Sequence, residues 1–237
     1  MNIIIPMGGK GQRFIDAGYK EPKPFIDVCG KPMLQVALEN LNIDGRYTFI
    51  VRPEDHDRTV EIAHRVLGEN YGVIVLNEPV KGAVPACLAL EIGMQHTCDP
   101  LVIANCDQII FWDSKDFVDY CIKSGADGCV ATFEADSLDH SYARKENGLV
   151  VQIAEKLVIS NEALCGVHYW KRTDYAFTSF RLALDGKPHF NNDYYIAPTY
   201  NELIELGYEI RTYKTDGMVV LGTPDKLKEY VVYRERM

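Results

Sequence analysis

Short apolar runs alternate along the chain with longer stretches in which apolar residues recur every three to four positions. Residues 2–6 read as a strand. Residues 32–41 place Met33, Leu34, Ala37, Leu38 and Leu41 on one helical face. The pattern continues with a strand at 47–51 and a helix at 54–67, apolar at Val60, Ile62, Ala63, Val66 and Leu67. A strand at 73–76, a helix at 83–94, a strand at 101–104, a helix at 114–123 and a strand at 128–133 follow. Strands and helices in this rhythm imply βαβ units and a largely parallel sheet. The rhythm changes near residue 140. Strands at 148–154, 157–160 and 164–170 lie close together, which favours an antiparallel part added to the parallel one. Helices at 173–184 and 194–206, strands at 209–213 and 218–221, and a helix at 224–234 close the chain. Pro224 suits a first helical turn. The polar stretch 136–147 reads as a mobile loop. No repeat, low-complexity tract or linker interrupts the pattern, so the expectation is one α/β domain, residues 1–237, with a mixed, mainly parallel sheet.

The chain has 237 residues, 34 acidic and 25 basic, a formal charge of −9. That acidic balance argues against a nucleic-acid binder, which needs cations to displace phosphate counterions. No basic amphipathic or long apolar segment points to a membrane. Seven cysteines without a C-x-x-C pair, and no evident signal peptide, fit free thiols in a reducing cytoplasm. Six histidines without an H-x-x-x-H pair make a zinc site a poor expectation. A homo-oligomer is left open.

Chemistry concentrates near the start. Gly8-Gly9-Lys10-Gly11-Gln12-Arg13 follows the first strand, and Lys23 stands between Pro22 and Pro24. Glycines let backbone N–H groups approach phosphate oxygens, and Arg13 and Lys23 can neutralise the same anion. This is neither a Walker A loop nor a dinucleotide fingerprint, because Phe14 stands where the third glycine of the latter belongs. Farther on, the apolar run 101–104 leads into Asn105-Cys106-Asp107. A carboxylate at the C-terminal edge of a parallel sheet suits Mg²⁺ carried with phosphates; an ordinary turn or helix-capping Asp is the competing reading.

Taken together these segments resemble the sugar-phosphate nucleotidyltransferases, also called nucleoside-diphosphate-sugar pyrophosphorylases. The shared motifs are Gly8–Arg13, Pro22-Lys23-Pro24, Gly30-Lys31-Pro32, Lys81-Gly82-Ala83, Asn105-Cys106-Asp107, Glu155-Lys156, Gly166-Val167-His168-Tyr169 and Gly222-Thr223-Pro224. The resemblance implies a Rossmann-like three-layer sandwich of the GT-A type, with a nucleotide-binding half near 1–135 and an acceptor-binding half near 136–237. It implies attack of an acceptor phosphate on the α-phosphorus of a nucleoside triphosphate, with Mg²⁺ present and pyrophosphate leaving. By similarity, Met7, Gly8, Gly9 and Gly11 cradle the triphosphate, Arg13 holds the leaving pyrophosphate and Lys23 the α-phosphate. Lys81, Gly82, Ala83 and Asn105 contact the nucleoside, and Asp107 ligates the metal. Lys156 grips the acceptor phosphate, with Glu155, Gly166, His168, Tyr169 and Asp193 beside it. Val220 stands where many relatives carry a second metal-binding Asp; Asp216 is nearby at a different spacing. Gly222-Thr223-Pro224 reads as a strand exit and helix start.

The opening segment, Pro22-Lys23-Pro24 and Ser160-Asn161-Glu162 resemble enzymes of bacterial capsule loci, among them CTP:phosphoglutamine cytidylyltransferases. That implies cytidylyl transfer from CTP onto a small phosphorylated acceptor. The alternative is uridylyl, thymidylyl or guanylyl transfer onto a hexose 1-phosphate. Two further classes are a GT-A glycosyltransferase, for which Asn105-Cys106-Asp107 supplies only the last carboxylate of an Asp-x-Asp motif, and a nucleotide-sensing module without turnover.

Overall fold

The computed structural model describes residues 1–91, 98–188 and 190–236. In chain order its elements are β1 (Asn2–Pro6), α1 (Gln12–Asp16), β2 (Asp27–Val28), β3 (Lys31–Pro32), α2 (Met33–Leu41), β4 (Arg46–Val51), α3 (His56–Leu67), β5 (Tyr71–Val75), α4 (Ala83–Leu88), β6 (Leu101–Ala104), β7 (Gln108–Phe111) and α5 (Ser114–Ser124). There follow β8 (Gly128–Glu134), β9 (Ser141–Glu146), β10 (Leu149–Glu155), β11 (Glu162–Trp170), α6 (Thr173–Asp185), α7 (Tyr200–Glu205), β12 (Ile210–Lys214), β13 (Gly217–Val220) and α8 (Pro224–Glu235).

The main sheet is mixed. β1 pairs in parallel with β4 and with β6, and β4 in parallel with β5. The chain thus builds outward from β1 through β4 and β5, then crosses back to lay β6 on the other side of β1. That reversal is a topological switch, and in open α/β sheets the ligand crevice lies beyond the C-terminal ends of the two strands at such a point. β11 runs antiparallel to β6 and to β8, and β12 joins β8 in parallel.

One edge of β11 changes partner part-way. Its C-terminal half, from Val167, pairs with β6, whereas Ala163 pairs with Tyr142 of β9. Gly166 lies in the interval at φ 67°, inside a break of register against β8. The sheet is therefore split at Gly166, between the end of β6 and the β9–β10 hairpin.

Side-chain alternation along β1 places Ile3 and Ile5 on one face, against Leu34 and Leu38 of α2 and Ile62 of α3. Ile4 faces the other way, toward Val84 of α4, Phe177 and Phe180 of α6 and Leu203 of α7. These are the two cores of a three-layer sandwich. A third cluster joins Phe14, Ile26, Val28 and Met33 to Leu221 and Leu227, anchoring α1 and α8 beside the crevice.

Several sequence expectations need correction. The stretch 136–147 is not simply a loop: Ser141–Glu146 is β9, closed onto β10 by Asn147-Gly148, both at positive φ. An Asn-Gly pair is the strongest short hairpin signal, and it was present in the sequence. The expected strand at 157–160 is irregular chain, because Lys156 at φ 52° turns it out of the sheet and leaves Leu157 exposed. The expected helix at 194–206 is regular only over Tyr200–Glu205, after a 3-10 turn at Ala197–Thr199. Pro198 accounts for this, since it disfavours helix at the residue before it and belongs in a first turn. Of the helix expected at 83–94, Ala83–Leu88 is α4, and residues 92–97 lie outside the described residues.

Candidate active site

Four loops converge on the crevice. The first leaves β1 at Pro6 and runs through Met7, Gly8 and Gly9 into α1. Met7 is buried, and its N–H donates to the Ile50 carbonyl at 2.8 Å, so the loop starts from a fixed point. Gly11 caps α1 at φ 66°. A Cβ at this position would lie 2.8 Å from the Lys23 Cβ, so glycine is required by both conformation and space. Gly11 is what lets the Lys23 segment close against the glycine loop.

The second loop follows β6. Its Asp107 carboxylate forms an ion pair with the Lys23 ammonium through Oδ2. The two side chains retain 23% and 18% of their exposure, so the pair faces the crevice without being open to bulk water. Burial works against the Lys23 charge and Asp107 works for it; the net result holds the Lys23 pKa above its ordinary value. Arg13, exposed on α1, acts in the opposite sense on Lys23, which places a second cation within electrostatic reach.

The backbone of this turn is held from two sides. The Asn105 N–H donates to the Gly166 carbonyl at 3.1 Å, and the Leu221 N–H donates to the Asp107 carbonyl at 2.8 Å. The third loop, after β13, then presses Gly222 onto the pair. A Cβ at Gly222 would collide with the Asp107 Oδ2 and stand 3.6 Å from the Lys23 Nζ. Sequence reasoning gave Gly222 only a strand exit and helix start. It has that role too, since Thr223 caps α8 and Pro224 opens it.

The fourth loop ends β10 at Glu155-Lys156. Antiparallel pairing of Glu155 with Ser141, and of Tyr142 with Ala163, puts this hairpin end on the Gly166 side of β11. Glu155 accepts a hydrogen bond from the Ser141 hydroxyl, and its burial pushes its pKa up against the pull of Ser141 and Lys156. Lys156 occupies the left-handed region at φ 52°, at a cost of about 1–2 kcal/mol for a residue with a Cβ. Its Nζ lies 4.7 Å from the Phe190 ring centre and 5.8 Å from that of Tyr195. Burial raises the Tyr195 pKa, with Glu155 and Asp193 adding to the rise and Arg13 opposing it. Asp193 and Arg13 therefore both lie within electrostatic reach of Tyr195.

Lys81-Gly82-Ala83 meets the same corner. Gly82, at φ 94°, bridges Tyr194, whose N–H donates to the Lys81 carbonyl at 3.1 Å. A Cβ at Gly82 would strike the Tyr194 backbone. Gly166 lies beneath Asn105 and Gln108, with no room for a Cβ against either side chain.

Two expected site residues stand elsewhere. His168 is a core residue on one face of β11, packed beside Trp170 and Tyr200, and its pKa falls to about 3 through burial. Tyr169 is buried in the opposite core, its pKa pushed up to about 12 by the same cause. Alternation along a strand covered on both faces leaves neither side chain facing the crevice. Phe190 and Tyr195 were the residues that sequence reasoning missed. The aromatic density of the Phe190–Tyr195 segment was the available signal.

Residues 2–209 match the Nucleotidyl transferase family. The chain belongs to that family. Among curated relatives, the mannose-1-phosphate guanylyltransferase catalytic subunit beta of Drosophila melanogaster is 26% identical over 173 residues, 70% of this chain and 47% of that protein. Mannose-1-phosphate guanyltransferase 2 of Candida glabrata is 26% identical over 140 residues, 57% of this chain and 38% of that one. The chain thus spans less than half the length of these relatives. The nucleoside-diphosphate-sugar pyrophosphorylase of Vibrio cholerae RC9 superposes with a TM-score of 0.80 at 24% identity, covering 97% of this chain and 99% of that one. A UDP-glucose pyrophosphorylase complexed with UDP-glucose gives 0.77 at 18% identity, covering 100% and 99%. At these identities the likeness is one of fold, and it is the mixed α/β sandwich expected from the sequence.

Among the described residues no cluster of three or more His, Cys, Asp or Glu forms a ready-made metal cage. Val220 faces Gln108 across the β7–β13 ribbon, while Asp216 donates its N–H to Phe111 at the ribbon's far end. Asp216 therefore does not replace the missing carboxylate. A single carboxylate, Asp107, beside the glycine loop fits Mg²⁺, which takes one or two carboxylates and fills its remaining positions with phosphate oxygens and water. No helix among the described residues is long and apolar enough to cross a membrane.

Proposed function

We propose that this protein transfers a nucleoside monophosphate from a nucleoside triphosphate to a sugar 1-phosphate and releases pyrophosphate. The observation that carries this reading is the convergence of the glycine loop, the Lys23–Asp107 pair and Lys156 on one crevice of the sheet. Such a reaction needs positioning and charge neutralisation more than covalent catalysis.

In this reading the backbone of Gly8, Gly9 and Gly11 receives the triphosphate, and Arg13 neutralises the departing pyrophosphate. Lys23 holds the α-phosphate. Lys81-Gly82-Ala83 and Asn105 flank the nucleoside. Lys156 brings the acceptor phosphate to the α-phosphorus, with Glu155, Asp193 and Gly166 shaping the acceptor side. Mg²⁺, held by Asp107 and the substrate phosphates, would supply charge neutralisation at the reacting phosphates. Lys23 and Asp107 pair with each other, so a phosphate at Lys23 and a cation at Asp107 would each take the place of that partner.

The relatives named above favour guanylyl or uridylyl transfer to a hexose 1-phosphate over cytidylyl transfer to a capsule precursor. The deciding assay is pyrophosphate release with Mg²⁺, using GTP, UTP, CTP, dTTP and ATP against mannose 1-phosphate, glucose 1-phosphate, phosphocholine and phosphorylated glutamine. Release with GTP or UTP and a hexose 1-phosphate is expected. Release only with CTP and a non-sugar acceptor would restore the capsule reading. Triphosphate binding without release across the panel would favour the sensing module.

A further inference from the structure

Lys156 and Lys23 carry the same ammonium but meet different partners. Lys23 faces a carboxylate. Lys156 meets the faces of two aromatic rings, within the range over which a ring quadrupole attracts a cation. A carboxylate satisfies an ammonium and competes with any incoming anion. A ring face attracts the charge but accepts its N–H donors poorly, so the cation is held without being neutralised. The neighbouring Glu155 carboxylate accepts a hydrogen bond from the Ser141 hydroxyl.

The rings are placed by a specific piece of backbone. Asn191 and Asn192 both take positive φ, at 48° and 64°, and fold the segment so that the Asp193 N–H donates to the Phe190 carbonyl at 2.9 Å. Asparagine tolerates that conformation better than most residues. Just beyond, Tyr194 is clamped to Lys81-Gly82, its carbonyl accepting from the Val84 N–H at 3.2 Å. The turn is thus fixed to Lys81-Gly82 at Tyr194, with the Phe190 ring before that anchor and the Tyr195 ring just after it both within reach of Lys156.

We propose that Phe190 and Tyr195 are positioning residues that hold the Lys156 ammonium by their ring faces, unneutralised and available to the phosphate of an acceptor. The role of that phosphate rests on the nucleotidyl-transfer reading; the state of Lys156 does not. Its consequence is separable from folding, because a ring that acts through its face needs no hydroxyl.

The test titrates inorganic phosphate into the protein while following the Lys156 ε-CH₂ resonance by NMR, assigned through its loss in Lys156→Arg. Phe190→Leu and Tyr195→Leu should each weaken phosphate binding about three- to tenfold, the range of a partly desolvated cation–ring contact. Tyr195→Phe should bind phosphate like the unaltered protein, and triphosphate affinity should be unchanged in all three variants. In turnover, the leucine variants should raise the acceptor KM by the same factor with little change in kcat. Unchanged phosphate affinity in both leucine variants would overturn the proposal, as would parallel loss of phosphate and triphosphate binding. A Tyr195→Phe variant as weak as Tyr195→Leu would move the effect to the hydroxyl and also overturn it. An unaltered protein that releases no pyrophosphate with any acceptor would sink the transfer reading alone, because the phosphate titration still decides the role of the rings.

Discussion

The Lys23–Asp107 edge of the crevice and its Lys156 corner use the same cation in opposite settings. At the edge, charges are paired, mostly covered, and pinned to the ends of parallel strands by backbone hydrogen bonds. At the corner, the cation rises from a left-handed turn at a hairpin end and rests on aromatic faces. In the first the lysine already has an anionic partner that any incoming phosphate must replace. The second keeps a single charge ready. Under the proposed function, a triphosphate would meet a paired lysine at one side and an acceptor phosphate a lysine resting on rings at the other.

The comparison breaks most completely at Asp107. Asp107→Asn removes the carboxylate but keeps the shape, so turnover should fall about a hundredfold or more. The lone Lys23 charge should cost about 1–2 kcal/mol of stability, limited by its partial exposure. Steady-state pyrophosphate release and thermal melts check the two effects separately. Equal activity in the variant would remove Asp107 from the reaction.

Gly222→Ala comes next. Gly222 is not at positive φ, so its backbone tolerates alanine, and the effect must pass through the displaced Asp107 carboxylate. Misplacement on that scale should lower kcat about ten- to a hundredfold. A crystal structure of the variant should show the carboxylate moved off the Lys23 ammonium.

At the other side, Lys156→Met keeps the stem against Phe190 and deletes the charge. Acceptor KM should rise about tenfold, the worth of one charge-assisted contact, while triphosphate Kd stays as it was. Triphosphate affinity lost together with acceptor affinity would show that edge and corner are one site rather than two.

The two regions also differed in how much the sequence disclosed. The edge was legible because its glycines, Lys23 and Asp107 follow strands whose apolar runs are unmistakable, and parallel strands deliver their C-terminal ends to one place. Lys156 was legible only through the family resemblance, and the reason for its conformation was not legible at all. Phe190 and Tyr195 meet it through a loop, anchored at Tyr194 on Gly82, whose path depends on packing far along the chain. Gly222 shows the same limit: its local meaning as a helix start was readable, but its approach to Asp107 exists only in three dimensions. β9 is the contrary case, since Asn147-Gly148 announced a hairpin that the polar composition of 136–147 concealed.

His168 sharpens the boundary of the corner with the smallest effect. It shares β11 with Gly166, yet its ring is covered and its Nδ1 has no hydrogen-bond partner among the described residues. Its folded pKa of about 3 lies below the ordinary histidine value near 6.5, so the unfolded chain binds the extra proton between them. Stability is then fully present above about pH 6.5 and falls as pH drops toward 3, by at most about 1.4 kcal/mol per pH unit from this group. His168→Leu removes that proton, so urea unfolding midpoints measured between pH 7 and 4.5 should decline less steeply than for the unaltered protein. Acceptor KM at pH 7 should not change. A variant that weakened acceptor use and left the acid slope intact would return His168 to the site and enlarge the corner by one strand position.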